Sequence, residues 1–226
     1  MTVTYEFYVD DSNPKTMSVD PGRDASMTPT GQPADWTRLD YCQCSNCPLD
    51  KSDTAYCPAA VDMEPVINAF SDQRAFQKIT IRVQTEQRTY EKFTTVEEGL
   101  RSLLGLVMGS SACPHLARLK PMAMHHMPFS TSNEFIMRSV SLYLLQQYFN
   151  KRDGYDVDWD LEGLVERNEE LQLVNHALWQ RIHAICEQDS NLKALLNFFS
   201  MASSVTSSLD EQLQEVRKHF ESGEPQ

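Results

Sequence analysis

The stretch Lys78–Thr95, KITIRVQTEQRTYEKFTT, decides the fold class. Ile79, Ile81 and Val83 alternate with Lys78, Thr80, Arg82 and Gln84, so an extended chain carries all three apolar side chains on one face. A polar turn follows, and a second strand over Arg88–Phe93 completes an antiparallel hairpin. The period then changes. Thr95 and Glu98 have the spacing of a capping box, and Leu100, Leu103, Leu104 and Val107 recur at helical intervals up to Gly109. A hairpin that runs straight into an amphipathic helix is the pattern of an α+β protein.

Toward the N-terminus, Val3–Val9 alternates again, with Tyr5, Phe7 and Val9 on one side, and supplies a third strand. Between residues 10 and 40 lie Pro14, Pro21, Gly22, Pro29, Gly31 and Pro33 among Ser, Thr and Asp, the composition of a flexible loop. PAAVDMEPVINAFSD after Cys57 reads as a short helix, in which Pro65 fits only near the start because an interior proline has no N–H to donate. Toward the C-terminus, Pro114, Pro121 and Pro128 leave room for only a turn or two of helix, and Thr131 with Glu134 opens a longer one. From Asp160, read as a cap for the acidic run DGYDVDWDLE, the remainder is helical, with Ser208 and Glu211 starting a final charged helix. The expected architecture is a small antiparallel sheet of about three strands packed by helices. Residues 1–150 form an α+β domain with a Cys-rich metal-binding loop, and residues 151–226 an all-helical extension.

In 226 residues with 41% hydrophobic content there is enough apolar mass for a buried core. A net charge of −12 argues against broad binding to nucleic acid or to an anionic membrane surface, although residues 65–130 taken alone are net basic. There is no basic leader and no apolar run of membrane-spanning length, so a chain starting at Met1 and staying in the cytoplasm is expected. Thiols remain reduced there, which turns attention from disulfides to metals.

Cys42, Cys44, Cys47 and Cys57 stand as C-x-C-x2-C-x9-C within sixteen positions. Four thiolates at about 2.3 Å satisfy a tetrahedral zinc ion, and two short spacings with one longer return let one loop wrap it. The C-x-C step is tighter than the C-x2-C of zinc ribbons. Cys-Pro at Cys47 and Cys57 also occurs in ferredoxin-type runs, so an iron–sulfur cluster is the alternative, and plain reduced thiols in a small core the third reading.

A second group lies in SSACPHLARLKPMAMHHMPF, where Cys113, His115, His125 and His126 fall within fourteen residues around Arg118 and Lys120. A cysteine before proline at a helix start would have its thiolate favoured by the backbone dipole. Cys113 is therefore a candidate reactive thiol, with His115 or His126 as acid/base and Arg118 and Lys120 as anion anchors; the same residues could instead ligate a metal or simply shape a loop. Cys-Pro-His resembles the active-site start of one class of periplasmic thiol oxidoreductases, but Leu116 stands where their second cysteine follows.

The clustered cysteines together with CPHLARLKPMAMHHMPF resemble, over residues 1–150, a bacterial family known only as a domain of unknown function. That resemblance implies a bacterial, cytosolic protein and brings no activity. The expected function is therefore a non-enzymatic, zinc-stabilised metal-binding protein. The apolar stripe Leu171, Val174, Leu178, Ile182 and Ile185 offers a helical surface for a protein partner or a second copy, while packing on its own domain is the plainer explanation. The alternative is a thiol- or metal-dependent enzyme, or an iron–sulfur redox protein, built on the Cys113 loop.

Overall fold

The computed structural model describes residues 1–9, 13–24, 32–185 and 209–218. Within them, strands β1 (Val3–Tyr8), β2 (Lys15–Val19), β3 (Lys78–Gln84) and β4 (Thr89–Thr95) form one antiparallel sheet in the order β2-β1-β3-β4. The α-helices are α1 (Pro58–Phe70), α2 (Val96–Gly109), α3 (Lys120–Met124), α4 (Ser132–Asp153), α5 (Glu162–Ile185) and α6 (Leu209–Arg217). The fold is α+β, as the hairpin-into-helix pattern requires.

The sheet has one wet and one dry face because its strands alternate in register. Tyr5 lies opposite both Met17 and Val83, and Phe7 opposite Ile81. Val3, Tyr5, Phe7, Ile79, Ile81 and Val83 are all buried, beneath α1 and α2. The other face carries Glu6, Tyr8, Arg82 and Glu91, where Arg82 donates to Glu91 Oε2 at 2.8 Å. Gly99 allows α2 to come close: a β-carbon there would lie 2.6 Å from Phe7 Cε1 and closer still to Ile81 Cδ1.

Three expectations need correction. The sheet has four strands, because residues 10–40 contain β2 and a 3₁₀ turn at Asp35–Thr37. Prolines and glycines bracket β2 without entering it, and Lys15, Met17 and Val19 keep a two-residue period. Pro65 sits inside α1, on its exposed face, where the Val61 carbonyl it leaves without a helical donor can be hydrated. At the start of α5 the cap is Asp158: its Oδ2 accepts from Gly163 N–H at 2.8 Å and its Oδ1 from Asp160 N–H at 3.1 Å. Asp160 cannot serve, since Leu161 intervenes with φ 65.

α4 opens with the expected capping box. Glu134 N–H donates to Thr131 Oγ1, and the Glu134 carboxylate accepts the Thr131 N–H. At α2 only half a box forms: Thr95 accepts from Glu98 N–H, while the Glu98 side chain turns to Lys92 and Thr94. The Ser208 cap and Cys186 lie outside the described residues.

α5 joins the two halves of the chain. Leu171, Val174, Leu178 and Ile182 are buried in the same core cluster as the sheet, so this stripe is covered by its own chain. Ile185, at the end of the stripe, is exposed. A second, smaller cluster joins α4 and α6 through Ile136, Tyr143, Leu164 and Leu209. Among the described residues no helix is long and apolar enough to cross a membrane.

Candidate functional site

The two cysteine-bearing loops meet. Cys44 and Cys47 bracket a tight turn closed by Cys47 N–H donating to the Cys44 carbonyl at 3.1 Å. Cys57 is the residue before α1 and donates its N–H to the Thr37 carbonyl at 2.7 Å. Cys113 ends the turn after α2, its N–H on Ser111 Oγ and its carbonyl accepting from Ala117 N–H. His115 connects the loops, with Nε2 2.9 Å from the Asn46 carbonyl; a carbonyl only accepts, so this ring nitrogen carries the proton. Asn46, between Cys44 and Cys47, donates to the Glu170 carbonyl of α5 at 3.2 Å.

Burial pushes the Cys44 thiol up to about 12, and the charges of Cys57, Cys47 and Cys113 push in the same direction. Cys57 is also raised by burial, with Cys47 adding to the shift and the Ala60 and Ala59 amides opposing it; no full cap hydrogen bond to its sulfur closes. Cys113 is raised by burial and then by Cys57 and Cys47, against the Leu116 and His115 amides. The charge of Cys113 acts on Cys44, and those of Cys57 and Cys47 act on Cys113, so the Cys113 turn is electrostatically coupled to the cysteine loop. Cys42, the first cysteine of the sequence motif, takes a left-handed backbone (φ 51). All five described cysteines are free. As the side chains stand, no group of three or more described His, Cys, Asp and Glu residues is arranged to hold a metal ion.

Arg181 of α5 lies against this group. Its side chain is 1% exposed and donates to the carbonyls of Trp36 (2.8 Å), Arg38 (2.6 Å) and Leu39 (3.0 Å), while Nε has no partner. Its charge lowers the pKa of Cys44 and Cys57. A guanidinium this deeply buried costs several kcal/mol unless a negative charge stands near it. Sequence patterning holds one clue to it, an arginine at the position between Leu178 and Ile182 on the apolar face of a helix.

The remaining candidates divide. Cys113 is not activated: the segment after it is a four-residue 3₁₀ turn, Leu116–Leu119, with little dipole, and at 7% exposure burial prevails. Arg118 is paired with Glu170 and so is not a free anion anchor; Glu170 Oε2 also lies 3.6 Å from His115 Nδ1. Lys120 begins α3 and is half-buried, and the exposed His125 contributes its carbonyl to Arg138. His126 belongs to another neighbourhood, bonded through Nε2 to Tyr5 Oη at 2.5 Å. Tyr5 Oη also lies 2.7 Å from Ser102 Oγ, which accepts the Phe129 N–H at 3.1 Å. Burial, and then the charge of Arg138, lowers the His126 pKa to about 3, so the ring is neutral. His126, Ser102 and Arg138 border a cleft of about 150 Å³ between α2, α4 and α5. Nothing in the sequence links Tyr5, Ser102 and His126, because the sheet brings them together from nearly opposite ends of the first half.

Fold and site together describe a two-layer α+β protein in which two cysteine-bearing loops meet at a long helix, with an apolar cleft lined by the same helix. The chain belongs to the family described as a domain of unknown function, DUF6901, whose sequence profile matches residues 3–221, in keeping with the resemblance drawn from its cysteines and Cys-Pro-His loop. No curated protein and no solved structure matches it.

Proposed function

We propose that this is a non-enzymatic metal-binding protein of the cytoplasm, in which Cys44, Cys47, Cys57 and Cys113 close around one zinc ion. The observation that carries the reading is that the two cysteine-bearing loops meet, through the His115–Asn46 bond, close to the buried cation Arg181, whose charge acts on Cys44 and Cys57. The Cys44, Cys57 and Cys113 thiols, raised by burial, would release their protons to a soft divalent cation. Four thiolates around zinc carry a net charge of about −2, the counter-charge that Arg181 lacks among its neutral carbonyl partners. Zinc held between the two loops would add folding energy to a polar segment that has little core of its own. Metal binding would then act as a staple between the Cys44–Cys57 loop, the Cys113 turn and α5.

The test is metal analysis and absorption of protein purified under reducing conditions. A colourless protein with one zinc per chain is expected, unchanged in Cys42→Ser and lost in Cys44→Ser and Cys113→Ser. Chelation should lower the melting temperature of the wild type. A brown, iron-containing sample would replace zinc by a cluster, and a chain that binds neither metal, or a Cys113→Ser variant that keeps its zinc, would end the reading.

A further inference from the structure

The cleft beside the thiol group raises a separate question, because its lining contrasts with the chain as a whole. The protein is acidic, at −12, yet among the described residues no acidic one lines this cleft, whereas Arg101, Arg138 and the neutral His126 do. Met122, Phe129, Phe135 and Leu171 supply apolar walls. Arg138 is half-buried and is held in place by its hydrogen bonds to the Met122 and His125 carbonyls, at 3.0 and 2.6 Å. Burial depresses its pKa, and Glu134, one turn earlier on α4, compensates it from a distance.

One group in the cleft is a donor without an acceptor. Asn168 of α5 is 7% exposed, lines the cleft, and its buried Nδ2 has no hydrogen-bond partner. An unpaired amide of this kind costs about 1–3 kcal/mol, so a site that retains one has a use for it. His126, whose Nε2 is tied to Tyr5 Oη, also lines the cleft as a neutral ring.

We propose that this cleft binds a small carboxylic acid with an apolar, aromatic-sized body, the carboxylate held by Arg138 and Asn168 and the body packed on Met122, Phe129 and Leu171. Room of about 150 Å³ matches a benzene-sized group. Arg101, Arg138 and the Asn168 amide give the lining cationic and neutral donors, with no carboxylate among the described lining residues, and a carboxylate ligand is acceptor-only. Arg138 supplies the charge-assisted bond, and the surrounding apolar surface strengthens it by keeping water out. This site is independent of whether the thiols hold a metal.

Benzoate is the probe, with benzyl alcohol as its neutral counterpart and acetate as the head group without the body. Titration of the full chain, followed by calorimetry and by amide chemical shifts, should show saturable benzoate binding at least tenfold tighter than benzyl alcohol, with no response to acetate at equal ionic strength. Arg138→Gln and Asn168→Leu should each weaken benzoate tenfold or more while leaving benzyl alcohol within about twofold. Asn168→Leu keeps the test open even if Arg138→Gln fails to fold, because removing an unpaired amide orphans nothing. No saturable binding of benzoate, equal affinity for benzyl alcohol, or undiminished benzoate binding by folded Asn168→Leu would overturn the proposal.

Discussion

Replacing Arg181 by methionine removes a charge that the fold has surrounded with three main-chain carbonyls and almost no water. Methionine fills similar volume and donates nothing, so the carbonyls of Trp36 and Leu39 lose a charged donor at about 1–3 kcal/mol per buried orphan, while that of Arg38 keeps the Tyr41 N–H. Against that gross loss, the variant no longer desolvates a guanidinium, which offsets several kcal/mol. The balance is a destabilisation of ~3 kcal/mol, which for a chain of this size lowers the melting temperature by roughly 6–12 °C. Urea unfolding measures the free energy. Amide hydrogen exchange locates it, with the Leu39 and Cys57 amides, which donate to Ala55 and Thr37, exchanging faster than those of β1 and β3. Arg181→Lys should fall between, since an ammonium cannot fork across three carbonyls. A methionine variant within about 1 kcal/mol of wild type, or one that loses protection evenly over the whole chain, would refute the assignment of Arg181 as the clamp on this loop.

Two further outcomes are expected. Because the folded-state pKa of His126 is about 3 against an ordinary 6.5, the unfolded chain binds a proton in that interval that the folded chain refuses; its contribution is complete above pH 6.5 and falls as the pH is lowered toward 3. Denaturation of wild type against His126→Gln should therefore show the wild type losing ~2 kcal/mol more between pH 7 and 5, and parallel curves would contradict a buried neutral ring. Gly99→Ala should destabilise by ~1–2 kcal/mol in urea, because overpacking against Phe7 and Ile81 outweighs the helix propensity gained; a variant as stable as wild type would show that α2 does not press on the sheet there.

Local periodicity carried most of the fold. The strand Lys78–Gln84 and both helix starts at Thr95 and Thr131 are recoverable from side-chain spacing, since each depends on residues within four positions of one another. β2 is not, because its two-residue period lasts only five residues at a sheet edge and is masked by the prolines and glycines on either side. The site was harder to read for a related reason. Cys44, Cys47 and Cys57 form a compact sequence group, whereas Cys113 reaches them only after the sheet and α2 have returned the chain, and Arg181 only after α5 crosses back. The polar groups of the cleft come from α2, the segment before α4, α4 itself and α5, separations at which spacing carries no information.

The hold of α5 on the cysteine loop has an evolutionary corollary. Arg181 touches only peptide carbonyls, and Asn46 answers with a bond to another one, so on α5's side the contact depends on the path of the loop and not on the side chains that decorate it. The carbonyls of Trp36, Arg38 and Leu39 can accordingly be presented by other side chains while the trace stays put, whereas Cys44 and Asn46 are used through their side chains. Relatives could present quite different outward faces on this loop from the same internal fastening, provided that a guanidinium remains underneath.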